Sequence, residues 1–263
     1  MKDADQLKTI VREKYGEIAR KSSGCGCGCG EKANPENSVM SDDYSRLQGY
    51  VPDADLQLGC GMPTEFARIS PGNTVVDLGS GAGNDCFVAR AIAGEHGRVI
   101  GIDFTKDMIV KARKNTLKLG YSNVEFLLGD IEAIPLPGNT ADVVVSNCVL
   151  NLVPDKIKAF GEIFRILKPG GHFSISDIVL IGELPEALKD DAVMYAGCVS
   201  GALQKEKYLN LIREAGFRNI TIQKERRVDL PDEILSKYIS GDEMDKYHSE
   251  GKGIFSITVY AEK

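Results

Sequence analysis

The sequence predicts a doubly wound α/β fold with a mostly parallel sheet and an antiparallel hairpin of C-terminal strands at one edge. From Thr74 onward, short apolar segments alternate with longer amphipathic ones, which indicates successive β-α-β units. The segment ADVVVSN at 141–147 is apolar along most of its length, as in a strand buried on both faces. A glycine-rich turn at 79–83 follows the first strand, at the end of the sheet where such folds bind ligands.

The predicted elements begin with an amphipathic helix over residues 3–21, whose apolar stripe is interpreted as packing on the core. Strands are expected at 74–79, 98–104, 123–130, 141–147 and 172–180, and helices at 84–94, 106–120 and 155–167, the last ending at the turn KPGG. A helix at 204–216 precedes two strands, 218–228 and 253–263, which are expected to pair antiparallel at the sheet edge.

Three regions follow from this pattern. Residues 1–45 hold the helix and a flexible segment rich in glycine and cysteine, residues 46–180 form the ligand-binding core, and residues 181–263 cover the substrate site and complete the sheet. The net charge of −6 argues against a general nucleic-acid surface, and neither an apolar leader nor a membrane-spanning run is evident. We therefore expect a cytoplasmic protein without nucleic-acid or membrane partners. Its seven cysteines are then thiols, ligands or redox groups rather than a disulfide framework.

The segment VVDLGSGAGNDC places Gly79, Gly81 and Gly83 where a strand gives way to a helix, and glycines there let the backbone approach a ligand closely. Asp103 ends the second strand, where an acid can bind two ribose hydroxyls. Asp130 ends the third strand and can reach an adenine amino group. The alternatives are that Asp103 only starts the next helix and that the acid before the turn, in VVD, only caps it.

These residues resemble the class I S-adenosylmethionine (SAM)-dependent methyltransferases, which have a Rossmann-like sheet. The matching stretches are VVDLGSGAG, GIDFTKDMIVKA, GDIEAIPLP, ADVVVSNCVLNLV and the LKPGG turn, so the resemblance spans roughly residues 74–180. A Rossmann dehydrogenase is the alternative, but its turn is G-x-G-x-x-G, whereas this one is G-x-G-x-G. The resemblance implies that SAM is bound by Asp77, Gly79, Gly81, Gly83, Asp103, Phe104, Met108, Asp130, Ile131 and Asn147.

Three cysteines fall in loops that are expected to border the same crevice. Cys148 follows the fourth strand, Cys198 lies in the segment after the fifth strand, and Cys60 precedes the first strand. Gly59 and Gly61 flank Cys60 and are expected to expose its backbone and free its side chain. The alternative is that each of the three is a small buried core residue.

A site with three thiols and no evident general base favours a soft acceptor, because thiolates select soft, polarizable ions. Trivalent arsenic forms a pyramid with three sulfurs and keeps a lone pair that can attack the methyl group of SAM, a step that releases no proton. None of the three histidines is placed as an obvious base, since His96 and His248 fall in expected surface turns and His172 begins a strand.

The stretches LGCGMPTEFA, VDLGSGAGNDCFVA, SNCVLNLVPDK and YAGCVSGAL resemble the arsenite methyltransferases of the microbial type, over most of residues 41–230. The resemblance implies that arsenite or its thiol conjugates are the acceptor and that Cys148 and Cys198 bind arsenite. It also implies that Cys60 completes the triad and can pair with an upstream cysteine. The chain departs from the family at Leu58, where an aromatic residue is frequent, and near the N-terminus, where it has three cysteines and some relatives have one.

The segment GCGCGCG at 24–30 carries Cys25, Cys27 and Cys29 on a flexible backbone. Methylation formally oxidises As(III) to As(V), and a cysteine pair can return two electrons by forming a disulfide that thioredoxin or glutathione reopens. One of these three cysteines is therefore a candidate for capturing arsenite and for pairing with Cys60. Zinc binding, which the C-x-C-x-C spacing disfavours, and thiols without a role are the alternatives.

Cys86, one residue into the helix after the glycine turn, is interpreted as structural, and no metal cofactor is expected. The sequence leaves three functions open. The favoured one is arsenite methylation. The others are methylation of another small acceptor, such as a thiol, a quinone-like ring or a different metalloid, and a non-catalytic metalloid sensor or carrier that binds SAM only as a ligand.

Overall fold

A computed structural model describes residues 4–21, 42–182, 201–229 and 252–263, and in these ranges eight strands form one sheet. The strands are β1 (Thr74–Leu78), β2 (Arg98–Asp103), β3 (Val124–Leu128), β4 (Ala141–Asn147), β5 (Leu167–Ile181), β6 (Leu203–Gln204), β7 (Arg218–Val228) and β8 (Gly253–Glu262). Their order is β3-β2-β1-β4-β5-β8-β7, and β6 pairs with β5. Neighbours from β3 to β5 run parallel, whereas β8 is antiparallel to β5 and β7. The predicted fold class is therefore confirmed.

The helices in the described ranges are α1 (Ala4–Lys21), α2 (Pro63–Phe66), α3 (Asn84–Ala93), α4 (Lys106–Leu119), α5 (Lys156–Ile166) and α6 (Lys205–Glu214). The short helix α2 was not predicted, because four residues are too few to show a helical period. In the part of the chain that is described, no helix combines the length and the apolar character needed to cross a bilayer.

Helix ends follow local sequence signals. Gly120 adopts a left-handed φ of 67° and caps α4, a conformation that glycine allows without steric cost. The side chain of Asp155 accepts a hydrogen bond from the backbone N–H of Lys158 and so caps the start of α5. These caps explain why the predicted helix boundaries agree with the observed ones to within a few residues.

Alternate residues of the strands face opposite sides of the sheet, and helices cover both sides. Val75 of β1 belongs to a core cluster with Phe87 of α3, whereas the next residue, Val76, belongs to a cluster with Phe160 of α5. The Phe160 ring packs edge-on against Tyr208 of α6, with 5.6 Å between ring centroids. Helices α3 and α4 thus lie on one side and α5 and α6 on the other. The strand order reverses direction between β1 and β4, which places a binding crevice at their carboxyl ends.

The start of β5 differs from the prediction. The sequence predicts a turn at KPGG and a strand from His172, but β5 begins at Leu167. Leu167 pairs with Ala141 and His172 pairs with Val143, so the register shifts between these two positions. Gly170 lies within the irregularity with a φ of 78°, which a side chain would disfavour. The residues of the predicted turn therefore form an irregularity at the start of a longer strand.

The N-terminal helix is confirmed as α1. Its buried residues are Val11, Gly16 and Ala19, of which Val11 and Ala19 belong to the predicted apolar stripe. The helix packs against α4, and Arg20 near its end forms an ion pair with Asp107 of α4. Because α4 follows β2, this packing brings α1 to the end of the sheet where the crevice opens.

Two isoleucines of α5 offer a matched test of the core. Ile163 is 0% exposed and Ile157 is 64% exposed. We expect Ile163→Ala to lower the free energy of unfolding by about 2–5 kcal/mol, because it removes buried methylene groups and leaves a cavity. Ile157→Ala should change it by less than about 0.5 kcal/mol. Urea denaturation followed by circular dichroism measures both, and equal effects would contradict the packing of α5.

Candidate functional site

A cavity opens at the carboxyl ends of β1, β2 and β4, where the topology predicts a ligand site. Its walls come from the turn after β1, the residues that follow β2, β3 and β4, the loop before α2, and α1. Nine of the residues that the sequence assigns to SAM line it, and their binding role stays a prediction: Asp77, Gly79, Gly81, Asp103, Phe104, Met108, Asp130, Ile131 and Asn147. The tenth, Gly83, is not among the lining residues.

The three glycines of the turn serve different purposes. Gly79 has a φ of 72°, and a Cβ on it would lie 2.3 Å from a methyl group of Val149. Gly83 has a φ of 100°, and its Cβ would lie 2.8 Å from the ring of Phe126. Gly81 has a φ of 50° and open space around it. Glycine is thus required by close packing at Gly79 and Gly83 and by backbone conformation at all three.

Asp103 connects the turn to the helix that follows β2. One carboxylate oxygen accepts the backbone N–H of Gly81 at 3.0 Å, and the other accepts the backbone N–H of Thr105 at 2.7 Å. Burial raises the pKa of Asp103 against the lowering effect of these hydrogen bonds. Asp103 therefore supports the start of α4, as one alternative proposed, and also faces the cavity, so the two interpretations are compatible.

The turn also carries buried polar atoms that fit a polar ligand. Ser80 Oγ and Asn84 Oδ1 both belong to residues that line the cavity, and neither atom has a hydrogen-bond partner in the described part of the chain. Buried polar atoms are rarely left unsatisfied, so a ligand that supplies hydrogen bonds at this turn would remove a cost. SAM, with its ribose hydroxyls, ammonium and carboxylate groups, satisfies this requirement.

A buried hydrogen-bond network joins the cavity to the loop before α2, with Asn147, the last residue of β4, at its centre. The amide nitrogen of Asn147 donates to the hydroxyl of Tyr44 at 2.7 Å and to the carbonyl of Gly61 at 2.8 Å. Its amide oxygen accepts the backbone N–H of Cys60 at 3.0 Å. The Tyr44 hydroxyl lies 2.9 Å from the carboxylate of Asp85, in the first turn of α3. One side chain thus connects the end of β4 to the loop before α2 and, through Tyr44, to the first turn of α3.

Several carboxylates in this region are buried. Burial raises the pKa of Asp85 to about 6, although hydrogen bonds from Tyr44, Asn147 and Thr64 lower it. Burial and the nearby charge of Asp85 raise the pKa of Asp77 well above its usual value. A cationic ligand would favour the ionised forms of both groups. SAM carries a sulfonium and an ammonium group, so its charge fits this part of the cavity.

Cys60 and Cys148 both adjoin Asn147, because the backbone N–H of Cys60 donates to its side chain and Cys148 follows it in the sequence. Cys148 lines the cavity, is 3% exposed and has a left-handed φ of 60°, which is uncommon for a residue with a side chain. Its backbone N–H donates to the carbonyl of Ser176 in β5 at 2.8 Å. Cys60 is 0% exposed, and its carbonyl accepts a hydrogen bond from Ser256 of β8. Strands β4, β5 and β8 therefore position the two thiol residues.

The interpretation of the glycines beside Cys60 was wrong. They do not expose the backbone or free the side chain, since Cys60 is fully buried. A Cβ on Gly59 would lie 2.5 Å from the amide of Asn147, and a Cβ on Gly61 would lie 2.5 Å from the hydroxyl of Ser176. The glycines are needed because the loop packs directly against the end of β4 and against β5.

Sequence reasoning missed a second buried pair near the thiols. The hydroxyl of Tyr208 donates to Asp177 of β5 at 3.1 Å. Burial and the charge of Asp177 raise the pKa of Tyr208 well above its usual value, with smaller contributions from Cys60 and Cys148.

Tyr44, Asp85 and Tyr208 were missed because their partners are distant in sequence. Of the three, only Asp85 lies beside a motif, in GAGNDC. Cys86 was predicted to pack on the first strand, and its thiol does donate to Asp77 of β1 at 3.2 Å. The proposed structural role of Cys86 stays a prediction.

Four cysteines of the predicted site lie outside the described residues: Cys25, Cys27, Cys29 and Cys198. His248 also lies outside them. Within the described ranges, no group of three or more histidine, cysteine, aspartate or glutamate side chains is arranged to hold a metal ion. The structure therefore brings Cys60 and Cys148 to one region, and the roles of the other four cysteines stay predictions.

Comparison with known proteins gives consistent matches. Residues 69–216 match the family described as "Methyltransferase domain". Over its whole length the chain is 38% identical to the arsenite methyltransferase of Halobacterium salinarum, of which it covers 68%. It is 35% identical to the human arsenite methyltransferase over 82% of this chain, but spans only 59% of that protein.

A solved structure agrees with these matches. An arsenic(III) S-adenosylmethionine methyltransferase from Chlamydomonas reinhardtii superposes with a TM-score of 0.63 at 27% identity. The match covers 97% of this chain and 73% of that chain.

Asn147→Ala tests the network at the end of β4. We expect the free energy of unfolding to fall by about 1–3 kcal/mol, because the backbone N–H of Cys60 and the carbonyl of Gly61 lose a buried partner. Asn210→Ala, on the exposed face of α6, is the control and should change stability by less than about 0.5 kcal/mol. Denaturant titration measures both, and an equal effect would mean that the network contributes no stability.

The affinity for SAM should depend on pH through Asp85. The ionised carboxylate attracts the cationic cofactor, so binding favours the deprotonated form, and affinity is lost as pH falls below the pKa of about 6. If the cofactor lowers this pKa by about 2 units, the Kd rises about tenfold between pH 7.5 and pH 5. Isothermal titration calorimetry measures it. Asp85→Asn should bind weakly and flatten the profile, and an unchanged profile in that variant would contradict the assignment.

Proposed function

The chain belongs to the methyltransferase domain family and to its arsenite methyltransferases, and on that premise we propose that it transfers methyl groups from SAM to trivalent arsenic held by cysteine thiolates. The main support is that Cys148 directly follows the end of β4, on the wall of the cofactor cavity, while Cys60 is anchored to the same strand end through Asn147. Asn147 thus links the two buried cysteines to the cofactor cavity, which Cys148 lines and Cys60 does not.

Bound SAM supplies an electrophilic methyl group on a sulfonium sulfur. The residues of the chain provide the complementary surface. The turn at Gly79 and Gly81 admits the cofactor close to the backbone, and Asp103 and Asp130 offer carboxylate acceptors for its adenosine. Asp85 contributes negative charge beside the end of β4 that leads to Cys148.

Cys60, Cys148 and Cys198 are the proposed arsenite ligands. When thiols replace the hydroxyl groups of arsenite, each thiol proton leaves with a hydroxyl as water, and the arsenic keeps its lone pair. Methylation of that lone pair removes no proton from the acceptor, so the site needs no general base. The ring of His172 is already 2.7 Å from the carbonyl of Ala67, and His96 is exposed, which agrees with this interpretation.

Positioning is then the main contribution of the protein. Cys60 and Cys148 are 0% and 3% exposed, so an arsenic atom bound between them would be shielded from water. Holding two reactants in a fixed geometry can lower a barrier by up to about 7–11 kcal/mol. The three strands that fix these two residues supply the rigidity that such catalysis requires.

The redox part of the cycle needs one thiol beyond the three proposed arsenite ligands. The methylated As(V) product accepts two electrons from two thiols, which become a disulfide, and thioredoxin or glutathione then reduces that disulfide. We propose Cys25, Cys27 or Cys29 as the partner of Cys60. Because Cys60 is fully buried in the described structure, this pairing requires its loop to open or the partner to enter the site.

The direct experiment is to incubate the purified protein with SAM, arsenite and a thiol reductant and to separate the arsenic species with element-specific detection. We expect methylated arsenic from the wild type and a loss of at least about 100-fold in Cys148→Ser, because the acceptor loses a ligand that positions it. Cys86→Ser is the control. It keeps a hydrogen-bond donor for Asp77 and should retain activity within about threefold.

SAM binding is measured in parallel for each variant. Intact SAM binding with no methylated arsenic from the wild type would contradict the proposal and indicate another acceptor or a sensor. Equal activity of wild type and Cys148→Ser would leave methyl transfer in place and overturn the thiol site.

A further inference from the structure

Helix α1 forms part of the cavity wall. Lys8, Val11 and Tyr15, spaced three and four residues apart on one face of the helix, line the same cavity as Asp103 and Asp130. The sequence predicts that this face packs on the core, but it does not indicate that it borders the cofactor. The N-terminal helix thus contributes residues to a site that is otherwise built from the ends of the parallel strands.

Ion pairs and a ring contact hold α1 in this place. The ammonium group of Lys8 lies 2.7 Å from one carboxylate oxygen of Asp130 and also contacts Glu132. The guanidinium group of Arg12 lies 5.2 Å above the ring of Phe104. Together with the Arg20 pair described above, these contacts attach the helix to the segments after β2 and β3, which form the rim of the cavity.

The contacts of Asp130 fix its carboxylate as an acceptor. One oxygen accepts the backbone N–H of Glu132 at 2.9 Å, and the other accepts Lys8. Burial opposes ionisation, but the hydrogen bonds and the charge of Lys8 prevail and hold the pKa of Asp130 below its usual range. Each carboxylate oxygen has two lone pairs, so the oxygen that faces Lys8 retains capacity for a second donor.

We propose that α1 is a wall of the SAM site and that Lys8 is a positioning residue, which orients the carboxylate of Asp130 to accept the exocyclic amino group of adenine. Val11 and Tyr15 supply apolar contact beside it. This inference rests on the proposed binding of the adenosine end of the cofactor by Asp130, and it does not depend on the identity of the methyl acceptor.

The position of Lys8 predicts which binding and kinetic constants change when this residue is replaced. SAM and S-adenosylhomocysteine have the same adenosine group, so loss of Lys8 should weaken both to the same degree. The methyl group and the thiols are at the other end of the site, so the rate at saturating SAM should not change. A residue that only stabilised the fold would not produce this selective effect on KM.

The test compares Lys8→Gln with Lys21→Gln. Lys21 is a highly exposed lysine at the end of the same helix, and within the described part of the chain its ion pair is with Glu17 of that helix. We expect Lys8→Gln to raise the Kd for both SAM and S-adenosylhomocysteine about tenfold by calorimetry, a loss typical of a charge-assisted hydrogen bond. Lys21→Gln should stay within about twofold of wild type.

Three further measurements complete the test. Lys8→Arg, which keeps the charge, should restore most of the affinity, and Lys8→Gln combined with Asp130→Asn should bind no more weakly than Asp130→Asn alone. Circular dichroism of the full chain verifies that each variant is folded. A Kd for Lys8→Gln within twofold of wild type, or a loss for SAM that S-adenosylhomocysteine does not share, would overturn the proposal.

The binding measurements contain no arsenic, so they separate this inference from the proposed reaction. If the wild type binds SAM but methylates no arsenite, the proposed function fails while the comparison of Kd values still decides the role of Lys8. If arsenite is methylated and Lys8→Gln has an unchanged KM for SAM, the reaction stands and the role of Lys8 is refuted.

Discussion

The site depends on the hydrogen bonds of one side chain, Asn147, at the end of β4. Its two donor hydrogens and its acceptor oxygen connect the hydroxyl of Tyr44, the carbonyl of Gly61 and the backbone of Cys60. Because the next residue is Cys148, this arrangement determines how the cysteine loop meets the strand that carries the second thiol. The cofactor wall and the proposed acceptor site therefore share one structural element, and neither can shift far without the other.

The same region holds buried negative charge that is costly without a cation. Asp77, Asp85 and Asp103 all have a raised pKa, in each case chiefly because burial disfavours the ionised form. A cationic cofactor offsets part of this cost, so cofactor binding should also stabilise the fold. Helix α1 adds to this link between cofactor binding and stability, because its ion pairs with residues after β2 and β3 place it along a further side of the cavity.

Local sequence patterns predict those features that depend on local physics. The apolar strands, the capped helices and the glycine turn are each determined by neighbouring residues, and the position of Cys148 follows because the end of its strand is evident. The contacts of Tyr44 with Asp85 and Asn147 join residues 41 and 103 positions apart, and no periodic pattern encodes them. The glycines beside Cys60 were misinterpreted for the same reason, since their role depends on the side chains of Asn147 and Ser176 across the fold.

In the proposed reaction, thiolates hold trivalent arsenic next to the cofactor. Arsenic K-edge X-ray absorption of the full chain with arsenite and S-adenosylhomocysteine measures the atoms bound to arsenic directly. We expect three sulfur neighbours and no oxygen in the wild type, and one sulfur fewer in Cys148→Ser. Arsenic bound mainly to oxygen, or a sulfur count that Cys148→Ser leaves unchanged, would contradict the proposal.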